Sequence, residues 1–508
     1  MAFFVVSRAM GLLREIVIAR QFGTSAEMDA YLAAFRIPDL LFALMAGGAL
    51  GSALIPVLSE YLARDDERGA WRLTAAVINW VVIILGAVGV VAAFGAQVLV
   101  GALIAPGFSA PQQALTADLM RWMLISTLIF GVSGVVMGVL NARQHFLLPA
   151  LAPAIYNLAI ILGAWLLGPT MGVRGAVVGV VLGAAAHLLV QLPALGRLKM
   201  RYWPRLGLRD ATVREVGRLM APRALGLAAV ELNHLVNVAL ASGLAAGSLA
   251  ALNYGRLLML LPEGIIAQSV AIAAFPTFST LAARNQHDEL RRVLLTTLRA
   301  VLYLTLPAVV GLILLRQPLV AALLQRGAFD ARSSEATAWA LLFYAFGLAG
   351  HAMVEITTRA FYALHDTRTP VFVGGAAMAA NALMSLAFLS LFGGMGWAPH
   401  GGLALANSLA TTAEMVVLLA LIHRRLGGLG WTPVIAALWR MGLGCVALAL
   451  TLVGVNAGLA GAPAWLLSGA SIVIGGGVYG LTTLVLRSEE PMVLGRITWR
   501  RLRSIRFP

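Results

Sequence analysis

Arg8, Arg14, Glu15, Arg20, Asp29, Arg36 and Asp39 stand within the first forty positions of a chain that is 60% hydrophobic. Their neighbours are apolar: Phe3-Phe4-Val5-Val6 before them, Ile16-Val17-Ile18 among them, Leu40-Leu41-Phe42-Ala43 after them. A charge at bilayer depth costs at least a few kcal/mol, so it usually faces a cavity or a partner and has a function. Arg8 and Glu15 are seven residues apart and project from nearly one side of a helix. Arg14 lies about 100° from Glu15 on an adjoining face. Asp29, Arg36 and Asp39 share a side, with Pro38 among them; Gly47, Gly48 and Gly51 follow and permit close helix approach. A guanidinium donates paired hydrogen bonds to phosphate or carboxylate. The expected ligand is therefore an anion, and a phosphorylated one suits the forks best. The competing structural role is pairing within each helix, Arg8 with Glu15 and Arg36 with Asp39, which leaves Arg14 unpaired. Arg20, near a helix end, is expected to reach the interface.

Other chemistries lack their residues. No GxxxxGK[ST] loop, HExxH or paired CxxC occurs, so neither ATP hydrolysis nor a metal centre is signalled. Cys445 is the only cysteine, which excludes a disulfide framework. Asp65-Asp66-Glu67 reads as a solvated turn. His187, His234 and His351, isolated in apolar runs, read as packing residues.

Charged residues make up only 12% of the chain, and no polar stretch is long enough for a soluble domain. The class is an all-α polytopic membrane protein. A span needs about 20 apolar residues, and fourteen runs qualify: 1–22, 29–58, 72–104, 115–140, 148–168, 174–195, 218–243, 246–281, 292–315, 334–361, 369–392, 399–422, 436–456 and 464–486. Pro38, Pro262 and Pro307 predict kinks. The net charge of +15 is carried by arginine, with Lys199 the only lysine. The arginines fall in alternate loops, including seven positive residues between Arg197 and Arg218 and the tail from Arg487 to Arg506. The opposite loops are poor in positive charge, apart from Arg174 and the stretch holding Arg316, Arg326 and Arg332. This asymmetry places both termini in the cytoplasm. It also removes the need for a nucleic-acid partner. The basic amphipathic tail is expected to lie on anionic lipid. Arg8, Arg14 and Glu15 interrupt any signal-peptide core, so no cleavable signal is expected.

The chain repeats itself. Pro56-Val-Leu-Ser59 with Ala63-Arg64 returns as Pro276-Thr-Phe-Ser279 with Ala283-Arg284, 220 residues on. Asn141-Ala142-Arg143 to Pro149 returns as Tyr362-Ala363-Leu364 to Pro370, 221 residues on. Two parallel six-helix lobes follow: 1–196, then a basic linker 197–217, then 218–424. The pair 425–486 is lipid-facing and precedes the tail 487–508. Transporters built from repeats place substrate near the midplane between lobes. The charges of the first two spans would then face Arg223, Glu231 and His234 of span 7, and Arg256 and Glu263 of span 8.

Two stretches carry a family resemblance. Ser7-Arg8-Ala-Met-Gly11-Leu-Leu-Arg14-Glu15-Ile-Val-Ile-Ala19-Arg20-Gln-Phe22-Gly23, continuing through Asp29-Ala30-Tyr31 to Phe35-Arg36-Ile-Pro38-Asp39, resembles the first helices of the MurJ family, also called MviN. Arg359-Ala-Phe361-Tyr362-Ala363-Leu364-His-Asp366-Thr367-Arg-Thr369-Pro370-Val371 is similar to a second motif of that family. The resemblance covers the whole chain. It implies a flippase without covalent catalysis, in the multidrug/oligosaccharidyl-lipid/polysaccharide exporter superfamily. The implied cargo is lipid II, the undecaprenyl-pyrophosphate-linked peptidoglycan precursor, moved from inner to outer leaflet by alternating access. It further implies a groove for the polyprenyl tail at spans 13 and 14. No cofactor is implied, with a sodium ion or the membrane potential as driving force. Ser7, Arg8, Arg14 and Asp29 match family positions that line the cavity or support function; Glu15, Arg36, Asp39 and Arg256 join them as expected cavity residues. Glu231, Asn237 and Asn381 are the oxygen ligands available for an ion. Three positions depart from the family pattern: Phe42 replaces an arginine, Asp39 replaces a common asparagine, and Leu257 stands at a further arginine position with Arg256 one residue earlier. The chain also begins late for the family. The alternative is a relative in the same superfamily that exports another polyprenyl-linked glycan or drugs. A monomer is expected.

Overall fold

The computed structural model describes residues 2–45, 48–198, 200, 202–207 and 209–491. Gly47, Lys199, the side chain of Arg223 and most of the basic tail, 492–508, lie outside the described residues. The chain is helical and forms two compact units, Met1–Ala250 with Arg326–Asp330, and Ala251–Gln325 with Ala331–Pro508.

The first unit holds α1 (Ala2–Phe22), α2 (Ala26–Ala34), α3 (Arg36–Met45), α4 (Gly48–Ala63), α5 (Glu67–Phe94), α6 (Ala96–Leu99), α7 (Ala110–Ala142), α8 (Leu147–Leu162), α9 (Gly168–Met171), α10 (Val173–Leu189), α11 (Leu192–Arg197) and α12 (Ala211–Ser242). The second holds α13 (Ser248–Glu263), α14 (Ser269–Ala283), α15 (His287–Leu314), α16 (Arg316–Leu324), α17 (Ala331–Ala363), α18 (Arg368–Gly394), α19 (His400–Arg425), α20 (Thr432–Gly458) and α21 (Ala464–Val485); the first turn of α13 still counts with the first unit.

Among the described residues, eleven helices are long and apolar enough to cross a membrane, and the bent pair Ala211–Pro222 and Gly226–Ser242 makes a twelfth if it is one span. The expected first two spans fall outside that set. Helix α1 carries Arg8, Arg14, Glu15 and Arg20, and the second expected span is interrupted at Phe35, between α2 and α3. Large apolar side chains on the outside of the helices support the membrane assignment: Phe94 is 88% exposed and Val485 81%. Such a surface is stable only against lipid or a partner.

Proline marks the break in the second span. Pro38 has no N–H to give, and its ring crowds the carbonyl four residues back, at Ala34, where α2 ends. Pro262 lies just before a π-helical turn, Gly264–Gln268, whereas Pro307 leaves α15 continuous. Helices α8 and α10 approach through glycine: a Cβ on Gly163 would stand 2.7 Å from the Gly175 carbonyl oxygen and 2.7 Å from Gly179 Cα. Only glycine permits that distance.

The repeat recurs in the helices. α5 and α15 are both 28 residues long and start 220 positions apart; α7 and α17 are both 33 long and start 221 apart. Left-handed residues close the same helices in each copy: Asp65 (φ 53°) with Asn285 (φ 55°), and Gln144 (φ 60°) with His365 (φ 58°). Packing divides the chain at a different place from the repeat. Helix α12, expected in the second lobe, packs on α3 and α4 of the first unit, burying Leu235, Val238 and Ala241. Its faces, rather than its place in the repeat, decide its neighbours. The linker before it is strapped to α5: Asn79 Nδ2 donates to the carbonyls of Trp203 (3.3 Å) and Arg205 (2.7 Å), and Trp80 Nε1 to that of Leu206 (2.8 Å).

Candidate functional site

Helix α1 has no proline or glycine pair to break it, so Ser7 and Arg14, seven residues apart, fall on one face. Ser7 is half-buried and Arg8 exposed. Arg14 points toward α8. Its Nη1 donates to Asn157 Oδ1 at 3.0 Å, while Nε and Nη2 donate to Glu15 Oε1 at 3.1 and 2.5 Å. The expectation that Arg14 has no partner is therefore corrected. Neighbours at i and i+1 project about 100° apart, but long side chains can curl together across that angle. Glu15 thus serves Arg14.

A guanidinium has five N–H donors. Glu15 and Asn157 occupy three, leaving one on each terminal nitrogen. Two remaining hydrogens on one fork suit a single oxyanion held by parallel hydrogen bonds. The Arg14 side chain is 28% exposed and is anchored at one edge by Glu15.

Helix α3 brings a second pair. Arg36 Nη2 lies 3.4 Å from Asp39 Oδ2, one turn along, and Arg36 Nε donates to the Leu32 carbonyl at 3.4 Å. Asp39 is within electrostatic reach of Glu231 on α12 and of Arg14. Tyr31 and Tyr156 flank the Arg14 guanidinium electrostatically. Arg14, Glu15, Arg36, Asp39 and Glu231 thus form one polar cluster inside the first unit. Positive groups do not dominate it, because each arginine has a carboxylate beside it.

Asp29 does different work from that expected. Its side chain is buried, and its oxygens accept the Gly247 N–H (2.7 Å) and the Ala250 N–H (2.8 Å). The carboxylate caps the start of α13, where helix N–H groups have no internal partners. With both oxygens so engaged, Asp29 is a buried tie and not a cavity-lining ligand group. The neighbouring turn is equally tight: Gly247 has φ +89°, and a Cβ there would meet the Thr24 carbonyl oxygen.

Arg256 lies on α13 in the second unit, half-buried and in electrostatic reach of Tyr344 and His351 on α17. The proposed ion ligands do not form one set within either unit. Glu231 and Asn237 are six residues apart on α12, which turns them about 120° from each other. Asn237 Nδ2 donates to Asn233 O (3.0 Å) and Oδ1 (3.1 Å). Asn381, on α18 of the second unit, accepts from Ser385 Oγ at 3.1 Å. Among the described residues no group of three or more His, Cys, Asp or Glu side chains could hold a metal.

Asn157 and Tyr156 were not singled out from the sequence. Their signal was present: they are adjacent hydrogen-bonding residues in the otherwise apolar run Leu147–Leu162. What could not be read was that Asn157 meets Arg14 across 143 positions.

Known proteins share this architecture. The family profile described as lipid II flippase MurJ matches residues 18–466. The lipid II flippase MurJ of Burkholderia cenocepacia is 31% identical over 434 residues, covering 83% of this chain and 82% of that protein. A probable lipid II flippase MurJ of Synechocystis is 29% identical over 512 residues, covering 97% and 90%. Among solved structures, a lipid II flippase MurJ in an inward closed conformation superimposes with a TM-score of 0.81 at 24% identity, over 96% of this chain and 98% of that one. An inward-facing MATE multidrug transporter of the MOP superfamily gives 0.70 at 16% identity. The charged helices, the repeated bundle and these matches agree: the chain belongs to the MurJ lipid II flippase family, a family of multi-pass membrane transporters and not of enzymes.

Proposed function

We propose that this protein moves lipid II from the cytoplasmic to the outer leaflet, and that Arg14 holds the pyrophosphate of the headgroup. The observation that carries the second part is the Arg14 fork, anchored by Glu15 and Asn157 with one N–H left on each terminal nitrogen. The carboxylates of Glu15, Asp39 and Glu231 temper the site. A transporter must release its cargo, and a purely cationic pocket would retain a diphosphate. No bond of the cargo is made or broken, so the protein's work is differential binding in two states.

Helices α20 and α21 offer the polyprenyl chain an apolar surface. Leu450, Val453, Ile472 and Val473 are exposed along them. The pair is fastened to α15 through the Tyr303–Thr483 hydroxyl contact (2.9 Å) and the Tyr479 hydroxyl, which donates to the Tyr303 carbonyl (2.9 Å). The basic loops support cytoplasmic termini, and a membrane potential acting on the charged cargo supplies a driving force without a bound cofactor.

Complementation tests this reading. The gene should restore growth to a bacterium depleted of its own lipid II flippase, and Arg14→Ala at equal protein level should not. Growth with Arg14→Ala would remove Arg14 from the proposal; failure of the unaltered gene, properly inserted, would remove the cargo.

A further inference from the structure

The charged cluster has an aromatic neighbour that pyrophosphate binding does not use. Phe42 stands on α3 three residues after Asp39, so the two project from nearly the same side. Its ring meets Phe130 of α7 at 5.7 Å between centroids and 67° between planes. Phe130 in turn meets Tyr156 of α8 at 4.9 Å and 83°. Tyr156 directly precedes Asn157, the residue on Arg14, and lies in electrostatic reach of both Arg14 and Asp39. An edge-to-face contact covers the edge of one ring and the face of the other, so it leaves further ring faces uncovered. Phe42 is 36% exposed. A face shared with Asp39 would be costly to turn to lipid. The ring chain from Phe42 through Phe130 ends at Tyr156, within the polar cluster.

We propose that Phe42, backed by Phe130 and flanked by Tyr156, forms a subsite for the apolar face of a pyranose ring, beside the Arg14 fork. The inference rests on the reading that Arg14 takes the pyrophosphate. In a pyrophosphate-linked glycan the first sugar is bonded to the diphosphate, so a sugar subsite belongs beside the fork, and Phe42 is linked to it through Phe130 and Tyr156, the neighbour of Asn157. A pyranose presents a face of C–H bonds, which packs on an aromatic face by dispersion and by attraction to its negative quadrupole. Tyr156 adds a hydroxyl for the sugar's own hydroxyls. Phe42 therefore shifts recognition from the diphosphate toward the sugar; a guanidinium at this position would have added a phosphate contact instead.

Binding to the purified full chain in detergent separates the two parts. The probes are undecaprenyl pyrophosphate and the same lipid carrying a disaccharide. The unaltered protein should hold the glycan-bearing lipid about tenfold more tightly than the bare one. Phe42→Leu, which keeps most of the volume, and Phe42→Ala should each abolish that preference while leaving affinity for bare undecaprenyl pyrophosphate within about twofold; Phe42→Trp should keep the preference. A preference retained in Phe42→Leu, parallel loss of both ligands, or no preference in the unaltered protein would each overturn the sugar subsite. If the unaltered protein holds the bare lipid and Arg14→Ala does not, the pyrophosphate reading survives such a failure. If the unaltered protein holds neither lipid, that reading falls and the subsite with it.

Discussion

Arg14 is a charged residue whose usefulness depends on being held. Two hydrogen bonds to Glu15 and one to Asn157 fix the plane of its guanidinium. Asn157 contributes no charge, so its role is to aim the fork. Asn157→Ala should weaken binding of undecaprenyl pyrophosphate by roughly tenfold, the size expected for one hydrogen bond to a charged group. Asn157→Asp, which restores an acceptor, should recover part of it. Equal affinities in a ligand-binding titration of Asn157→Ala and the unaltered protein would show that the fork is held without it. The residue scale was partly legible in the sequence. A charge inside an apolar run stands out whatever its partner, which is why Arg14 could be found. Its partner could not, because spacing reports only neighbours on one helix, and Asn157 comes from another. Asp29 shows the same limit: nothing local reveals that a carboxylate will cap Gly247 and Ala250.

Among the elements, the first two spans depart most from simple apolar helices, and Pro38 and the charges account for both departures. The break between α2 and α3 was legible as Pro38, whereas its exact place at Phe35 depended on packing. On the loop between α17 and α18, Asp366 accepts the Thr369 N–H at 3.0 Å and the Thr369 hydroxyl at 2.8 Å, and it pairs with Arg425 of α19. The Thr369 hydrogen bonds, followed by the Arg425 charge, hold its carboxyl below the usual aspartate value. A depressed folded value means stabilisation that is complete above the unfolded pKa, near 4, and is lost as pH falls through the folded value. Asp366→Ala should cost about 1 kcal/mol near neutral pH through loss of the helix-start bond. The gap in thermal midpoint between the two proteins should narrow below about pH 4. A gap unchanged from pH 7 to pH 3 would contradict this account of the loop.

For the whole molecule, the sequence repeat at offsets of 220 and 221 returns in the helices: α5 with α15 and α7 with α17 start at those spacings and have equal lengths. It did not predict the packing unit, since α12 buries its apolar face with α3 and α4. The orientation we propose rests on loop charge alone and can be checked directly. Cys445 is the only cysteine and is half-buried, so a Cys445→Ala background accepts single reporters. In intact cells a membrane-impermeant maleimide should label Ala462→Cys, and should label Arg68→Cys only after the inner membrane is opened. The reverse pattern would invert the topology.

The central claim is that this molecule carries lipid II across the membrane with Arg14 on its pyrophosphate. Its most direct test is the amount of lipid II in the outer leaflet of cells depleted of their own flippase, read by a reagent that reaches only that leaflet. The unaltered protein should restore outer-leaflet lipid II, and Arg14→Ala, present at the same level in the membrane, should leave it at the depleted level. Restoration by Arg14→Ala to the level of the unaltered protein would contradict the account.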